Sequence, residues 1–164
     1  MILIGIGSNL AAPPARTPLE TAAAALAELP GIGVQVIRCS GWFLSEPVPI
    51  SDQPWFVNSV AIVASEMAPA ALLHRLLTLE ADFGRTRATP NAARTLDLDL
   101  LDHDSCRCDT ATLTLPHPRL HQRRFVLGPL SEIAPGWRHP HLGLSAAELL
   151  ARLPPGQKVR RLAE

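Results

Sequence analysis

Two spacings of apolar residues alternate along the first hundred positions. The opening run "LIGIGS" reads as a short buried strand. Residues 16–31, "RTPLETAAAALAELPG", offer Thr17 as an N-cap, Pro18 at the first helical position and Gly31 past the end, which predicts a helix. "VQVIRCSGWFL", β-branched and aromatic, predicts one strand over 34–44. The prolines of "SEPVPISDQP" make 45–54 an extended, stiff loop. "WFVNSVAIVASE" is a long strand, and 68–85 is a helix with Leu72, Leu76, Leu79 and Phe83 at helical spacing. The small-residue loop "TRATPNAA" leads into the strand "TLDLDLLDH", which "DSCRC" turns into a partner strand. Residues 113–136 read as a loop entering a helix that breaks near Pro129, and "LSAAELLARLPPG" adds a short helix. Strand, helix, strand, strand, helix, strand is the ferredoxin-like split pattern. It predicts an α+β fold, an antiparallel-rich sheet covered by helices in α-β-α layers, with 1–164 as a single domain.

The strand over 95–103 carries the chemistry. Side chains alternate faces along a strand, so Asp97 and Asp99 point the same way, with Cα atoms roughly 6.5–7 Å apart. Two carboxylates on one face repel and need positive charge between them. Taken alone they are either solvent-facing aspartates or a metal-binding pair, since Mg²⁺ takes one or two carboxylates plus water and substrate phosphates. Just upstream stand Arg85, Arg87 and Arg94, bracketing the small-residue loop. Guanidinium forks facing a metal-binding pair are the parts that phosphoryl transfer requires. By straight-strand alternation Asp102 falls on the leucine side, and Asp102 and Asp104 belong to the turn.

Composition narrows the choice. The formal net charge is zero, against a broad basic face for nucleic acid or an anionic membrane. No run reaches the roughly 20 apolar residues of a membrane span, and three cysteines without a framework suit a reducing cytoplasm. Cys106 and Cys108 lack the second pair of a zinc site, and His117 and His121 lack the glutamate of a zinc-protease helix. No phosphate-binding G-x-x-x-x-G-K-[ST] loop is present, and the only lysine is Lys158. "GIGSNL" has Leu10 where a dinucleotide fingerprint needs its third glycine.

"GIGSNL", "QPWFVNSVAIV", "LEADFGRTR", "RTLDLDLL" and "LPHPRLHQRRFVLGPLSEIAP" occur in this order. Together, over about residues 2–135, they resemble the 6-hydroxymethyl-7,8-dihydropterin pyrophosphokinase family of folate biosynthesis. The resemblance implies a cytoplasmic, monomeric enzyme that moves pyrophosphate from ATP to the pterin hydroxymethyl group and releases AMP. It assigns two Mg²⁺ ions, bound with ATP, to Asp97 and Asp99, and makes Arg85 and Arg94 their catalytic companions. Glu80, His117 and Arg123 join these arginines around ATP, with Gln53, Arg87, Arg119 and Arg124 as further candidates. Ser45, Pro47, Val48, Phe56, Asn58 and Phe125 fall at pterin-binding positions. The sequence departs from the family at Asn91, where a lid tryptophan is common, at Thr112, where some members have arginine, and at His121, where some have lysine. These departures leave open a non-catalytic pterin- or nucleotide-binding homologue; another Mg²⁺-dependent transferase is the second alternative.

Overall fold

The computed structural model describes residues 1–15, 17–85 and 92–163. Strand β1 (Ile2–Ser8) is an inner strand of the sheet, hydrogen-bonded antiparallel to the central β4 (Phe56–Ala64) on one side and to β5 (Asp97–His103) on the other. Beyond β4 lie β2 (Gln35–Cys39) and β3 (Phe43–Ser45), both antiparallel to it, and β8 (Val159–Arg161) extends the sheet from β3. The short strands β6 (Cys108–Asp109) and β7 (Thr114–Leu115) form a separate ribbon, so "DSCRC" leads to a strand that pairs with β7 and not with β5.

Helix α1 (Pro18–Glu28) starts as its sequence requires. Thr17 Oγ1 accepts the Glu20 amide and Glu20 reaches back to the Thr17 amide, a reciprocal cap, with Pro18 inside the first turn. Its end differs from the expectation. A tighter turn, Leu29–Ile32, contains Gly31, and the left-handed residue that closes it is Gly33 at φ 82°. Helix α2 (Pro69–Asp82) buries Leu72, Leu76, Leu79 and Glu80. Helix α3 (Arg124–Ile133) runs without a break through Pro129, and α4 (Ala146–Arg152) repeats the reciprocal cap with Ser145 and Glu148.

One strand was expected over 34–44, and two are found. Ser40 is the reason. Its Oγ accepts the Val60 amide at 3.1 Å and donates to the Gly41 carbonyl at 2.8 Å, taking the place of a ladder partner. Between the β2 pair Cys39–Ala61 and the β3 pair Phe43–Asn58 the outer chain advances four residues and β4 three, so one residue is extruded.

The sheet has a core on each face. Ile2, Ile4 and Ile6 of β1 and Leu98 and Leu100 of β5 pack under α1 and α2. Leu3 and Leu101 pack under α3 and α4 with Leu127, Leu130 and Trp137. This is the α-β-α layering expected from the pattern. The register between β1 and β5 slips once, at Leu3/Ile4. The slip corrects two readings of Asp102: it is a strand residue, and it sits on the Leu101 side, where Oδ2 accepts from Trp137 Nε1 at 2.7 Å.

Candidate functional site

Before the slip, β1 and β5 keep strict alternation. Gly7 pairs with Asp97 and Gly5 with Asp99. Gly7 also pairs with Asn58 on its other side, and Asn58 with Phe43. One row across the sheet therefore reads Asp97, Gly7, Asn58, Phe43, on the face that carries α3. The glycine leaves this row open. A Cβ on Gly7 would stand 3.4 Å from Asn58 Oδ1 and 3.7 Å from Asp97 Cβ, filling the trough between them.

Both carboxylates are ringed by arginine. Arg85 Nη1 donates to Asp97 Oδ1 at 2.6 Å and Arg94 Nη1 to Asp97 Oδ2 at 2.9 Å. Arg123 Nη1 donates to Asp99 Oδ2 at 2.7 Å. Arg94, which the resemblance places around ATP, is here a direct partner of Asp97. His117 Nε2 stands 3.9 Å from Asp99 Oδ2, and Nδ1 accepts the Arg119 amide at 3.1 Å, which leaves the proton on Nε2. Burial pushes the His117 pKa below the ordinary histidine range, and the Asp99 charge pulls the other way.

Glu80 holds this group from beneath. It is 1% exposed, its Oε1 accepts the Leu98 amide between the two aspartates at 2.7 Å, and it pairs with Arg85. Asn9, likewise buried, ties down the start of the β5 segment. Its Oδ1 accepts the Arg94 amide at 2.7 Å, and its own amide donates to the Arg94 carbonyl at 3.1 Å. Its Nδ2 reaches Gln53 Oε1 at 3.3 Å and the Pro54 carbonyl at 3.1 Å.

A cavity of about 180 Å³ opens beside Asp97. Phe56, Phe125, Asn58, Ser45 and Val48 line it, together with Arg94, Arg119 and Arg123. The Asn58 amide is fixed by donation to Ser45 Oγ at 2.8 Å, and Arg123 lies over the Phe125 ring at 5.5 Å. An apolar slot with two aromatic rings and one oriented amide suits a flat heterocycle with polar edges. The arginines suit phosphate.

Other candidates stand elsewhere. Pro47 is buried and does not line the cavity. Gln53 faces Asn9. Arg124 turns away and donates to the Leu153 and Pro154 carbonyls at 3.4 and 3.3 Å. Arg87 and Asn91 lie outside the described residues. Glu46, Gln122 and Gln157 also line the wall; Glu46 falls within 45–48, whose backbone groups the resemblance assigns to the ring, whereas Gln122 and Gln157 were not singled out from the sequence. Glu46 and Gln122 sit inside segments that were read as functional, whereas Gln157 arrives from the far end of the chain with no local signal.

Residues 3–135 match the model of the family described as 7,8-dihydro-6-hydroxymethylpterin-pyrophosphokinase (HPPK). The chain belongs to the HPPK family. The family resemblance read from the sequence is therefore borne out. A relative from Synechocystis named 2-amino-4-hydroxy-6-hydroxymethyldihydropteridine pyrophosphokinase is 38% identical over 92% of this chain and 75% of its own length. A Pseudomonas aeruginosa protein of the same name is 38% identical over 93% of this chain and 91% of its own. In fold, the chain matches a crystal structure titled as HPPK-DHPS in complex with substrates, with TM-score 0.64, 14% identity, and coverage of 92% of this chain and 42% of that one. Among the described residues of this HPPK chain, no helix is long and apolar enough to cross a membrane, and no cluster of three or more His, Cys, Asp or Glu side chains is arranged to hold a metal. The acidic set here is the pair Asp97 and Asp99.

Proposed function

We propose that this HPPK-family chain transfers the diphosphoryl group of ATP to the hydroxymethyl oxygen of 6-hydroxymethyl-7,8-dihydropterin and releases AMP, a step of folate biosynthesis. The oxygen attacks the β-phosphorus, the bond from that phosphorus to the α-phosphate oxygen breaks, and the hydroxyl proton leaves to solvent. The observation that carries the reading is the row across the sheet, with arginine-paired Asp97 at one end and the Ser45-bound Asn58 amide two strands away, beside a cavity that Phe56 and Phe125 also line, inside the segment that matches the family.

Asp97 and Asp99 fit a divalent ion. Their donors are hard oxygens, only two in number, and they adjoin arginines able to hold phosphate, which matches Mg²⁺ bound partly by protein and partly by nucleotide. We assign two Mg²⁺ ions to this pair. Bound there, Mg²⁺ supplies positive charge against the polyphosphate and lowers the pKa of the attacking hydroxyl. The remaining work belongs to side chains. Arg85, Arg94 and Arg123 exchange carboxylate partners for phosphate oxygens and stabilise charge that spreads during transfer. Phe56 and Phe125 hold the ring, and Asn58 orients it by its polar edge. The polyphosphate and the hydroxymethyl group are thereby aligned before reaction.

The test is to incubate the protein with Mg²⁺, ATP and the hydroxymethyl-dihydropterin and separate the nucleotides. AMP forms only when the pterin is present. ADP as the product, or AMP released equally without pterin, refutes the proposal.

A further inference from the structure

The family match ends at residue 135, yet the cavity has a wall from beyond it. After α4 the chain runs back along β3. β8 pairs Val159 with Ser45 and Arg161 with Phe43, and the Leu162 amide donates to the Trp42 carbonyl at 2.8 Å. Arg124, at the first turn of α3, clamps the start of this strap through the Leu153 and Pro154 carbonyls. Its neighbours Arg123 and Phe125 line the cavity, so the strap and the site share one anchor.

Beyond the Ser45–Val159 pair, the strap holds Glu46 through several hydrogen bonds. The Glu46 amide donates to the Lys158 carbonyl at 3.1 Å, and the Glu46 carboxylate accepts the Lys158 amide at 2.9 Å. The Glu46 carbonyl accepts from Gln157 Nε2 at 3.0 Å. All polar groups of Glu46 are thus committed to Gln157 and Lys158. Gln157 alone does two things: it fixes the Glu46 carbonyl and it lines the cavity. Its Oε1 accepts no hydrogen bond among the described residues, so an acceptor remains for a ring donor.

We propose that Gln157 is a specificity-determining residue of the heterocycle pocket, an amide supplied by the C-terminal strap that holds the Glu46 backbone in place and presents an acceptor to the ring. This rests on the pterin reading above and adds to it a contact outside the segment that defines the family. A donor-bearing ring edge meets a polar partner there, whereas an apolar side chain would leave that edge unpaired, at a cost of about a tenfold change in affinity for one hydrogen bond.

The experiment compares wild type with Gln157→Ala and Gln157→Met, which keeps length without the amide. AMP formation is measured against pterin and against ATP, beside equilibrium binding of the pterin and thermal melting. Both variants should raise KM and Kd for the pterin roughly five- to tenfold, with kcat, KM for ATP and melting temperature close to wild type. A pterin KM and Kd unchanged in Gln157→Ala overturns the inference, as does wild-type behaviour restored by Gln157→Met, which would mean a space-filling role. A joint loss of kcat, ATP affinity and melting temperature overturns it too, since the strap would then act only through stability. If wild type binds pterin but forms no AMP, the activity reading fails while the Kd comparison still decides the role of Gln157. If wild type does not bind pterin, both fail.

Discussion

Arg123 donates to Asp99 at 2.7 Å, and Asp99 therefore meets its first cation within its own chain. With Arg85 and Arg94 on Asp97, the acidic pair is neutralised at rest. Such part-exposed pairs contribute little to stability, about 0–1 kcal/mol each. Asp97→Asn and Asp99→Asn are thus expected to melt within a few degrees of wild type, while AMP formation falls roughly 10³-fold if, as proposed, these carboxylates hold Mg²⁺. Nucleotide analysis and a melting curve on the same preparations check this. Activity near wild type in either variant would remove the pair from the chemistry.

Glu80 behaves oppositely. It is buried under Arg85 and holds the Leu98 amide. Glu80→Ala leaves the buried Leu98 amide without its acceptor and takes one of two carboxylates from Arg85, which keeps Asp97, at a cost of about 2 kcal/mol. Glu80→Gln keeps an acceptor for Leu98 and should lose less. Urea unfolding separates the two, and equal stability of both variants and wild type would contradict the anchoring role.

Ser45 sets the direction of the Asn58 amide through a 2.8 Å bond. Ser45→Ala removes the shorter of the two bonds that orient the amide and leaves the 3.2 Å bond to the Phe56 carbonyl, whereas Asn58→Ala removes the amide itself. The pterin KM should rise several-fold in the first and about tenfold or more in the second, one hydrogen bond corresponding to about a tenfold change, with KM for ATP little changed. Steady-state kinetics with each substrate varied in turn provides the check.

Much of this site was legible because it is built on regular alternation. "TLDLDLL" places two carboxylates on one face and leucines on the other, and the strand obeys that rule up to Leu100. It fails at Leu101 and Asp102, where a slipped register puts both on the same side, because periodicity within one strand carries no information about its partner. Ser40 hid in the same way: a β-favouring run gives no sign that one hydroxyl will take over a ladder position on β4. Asn9 and Gln157 were unreadable for a further reason. Each acts on residues far away in the chain, Arg94 and Glu46 respectively, and only the closed fold brings them together.

Acid sensitivity is expected from a group outside the site. His139 is buried, with His121 and His141 close by, and its pKa is lowered to about 4. Its Nδ1 also accepts the His141 and Leu142 amides at 3.2 and 3.3 Å. In the unfolded chain the imidazole takes its proton near pH 6.5. Between that value and about 4 the unfolded state binds more protons, so stability falls as pH drops through this window and levels off below it. The full loss from this group is about 3 kcal/mol. His139→Asn retains an acceptor for the two amides and should flatten the profile between pH 6.5 and 4, as read by urea unfolding at a series of pH values. An unchanged slope would assign the acid sensitivity to other groups.

The row Asp97, Gly7, Asn58 makes the sheet a ruler. Asp97 with its arginines and the Asn58 amide are separated by two interstrand steps, about 10 Å. That length is set by backbone hydrogen bonding and not by any loop, and Gly7, the middle mark, leaves the span clear. Substitutions in the surrounding loops can alter what enters the site and how fast it closes. They cannot alter the gauge, which changes only if β1 shifts against its neighbours, and a one-residue shift would turn Gly7, Asn58 or Asp97 to the opposite face.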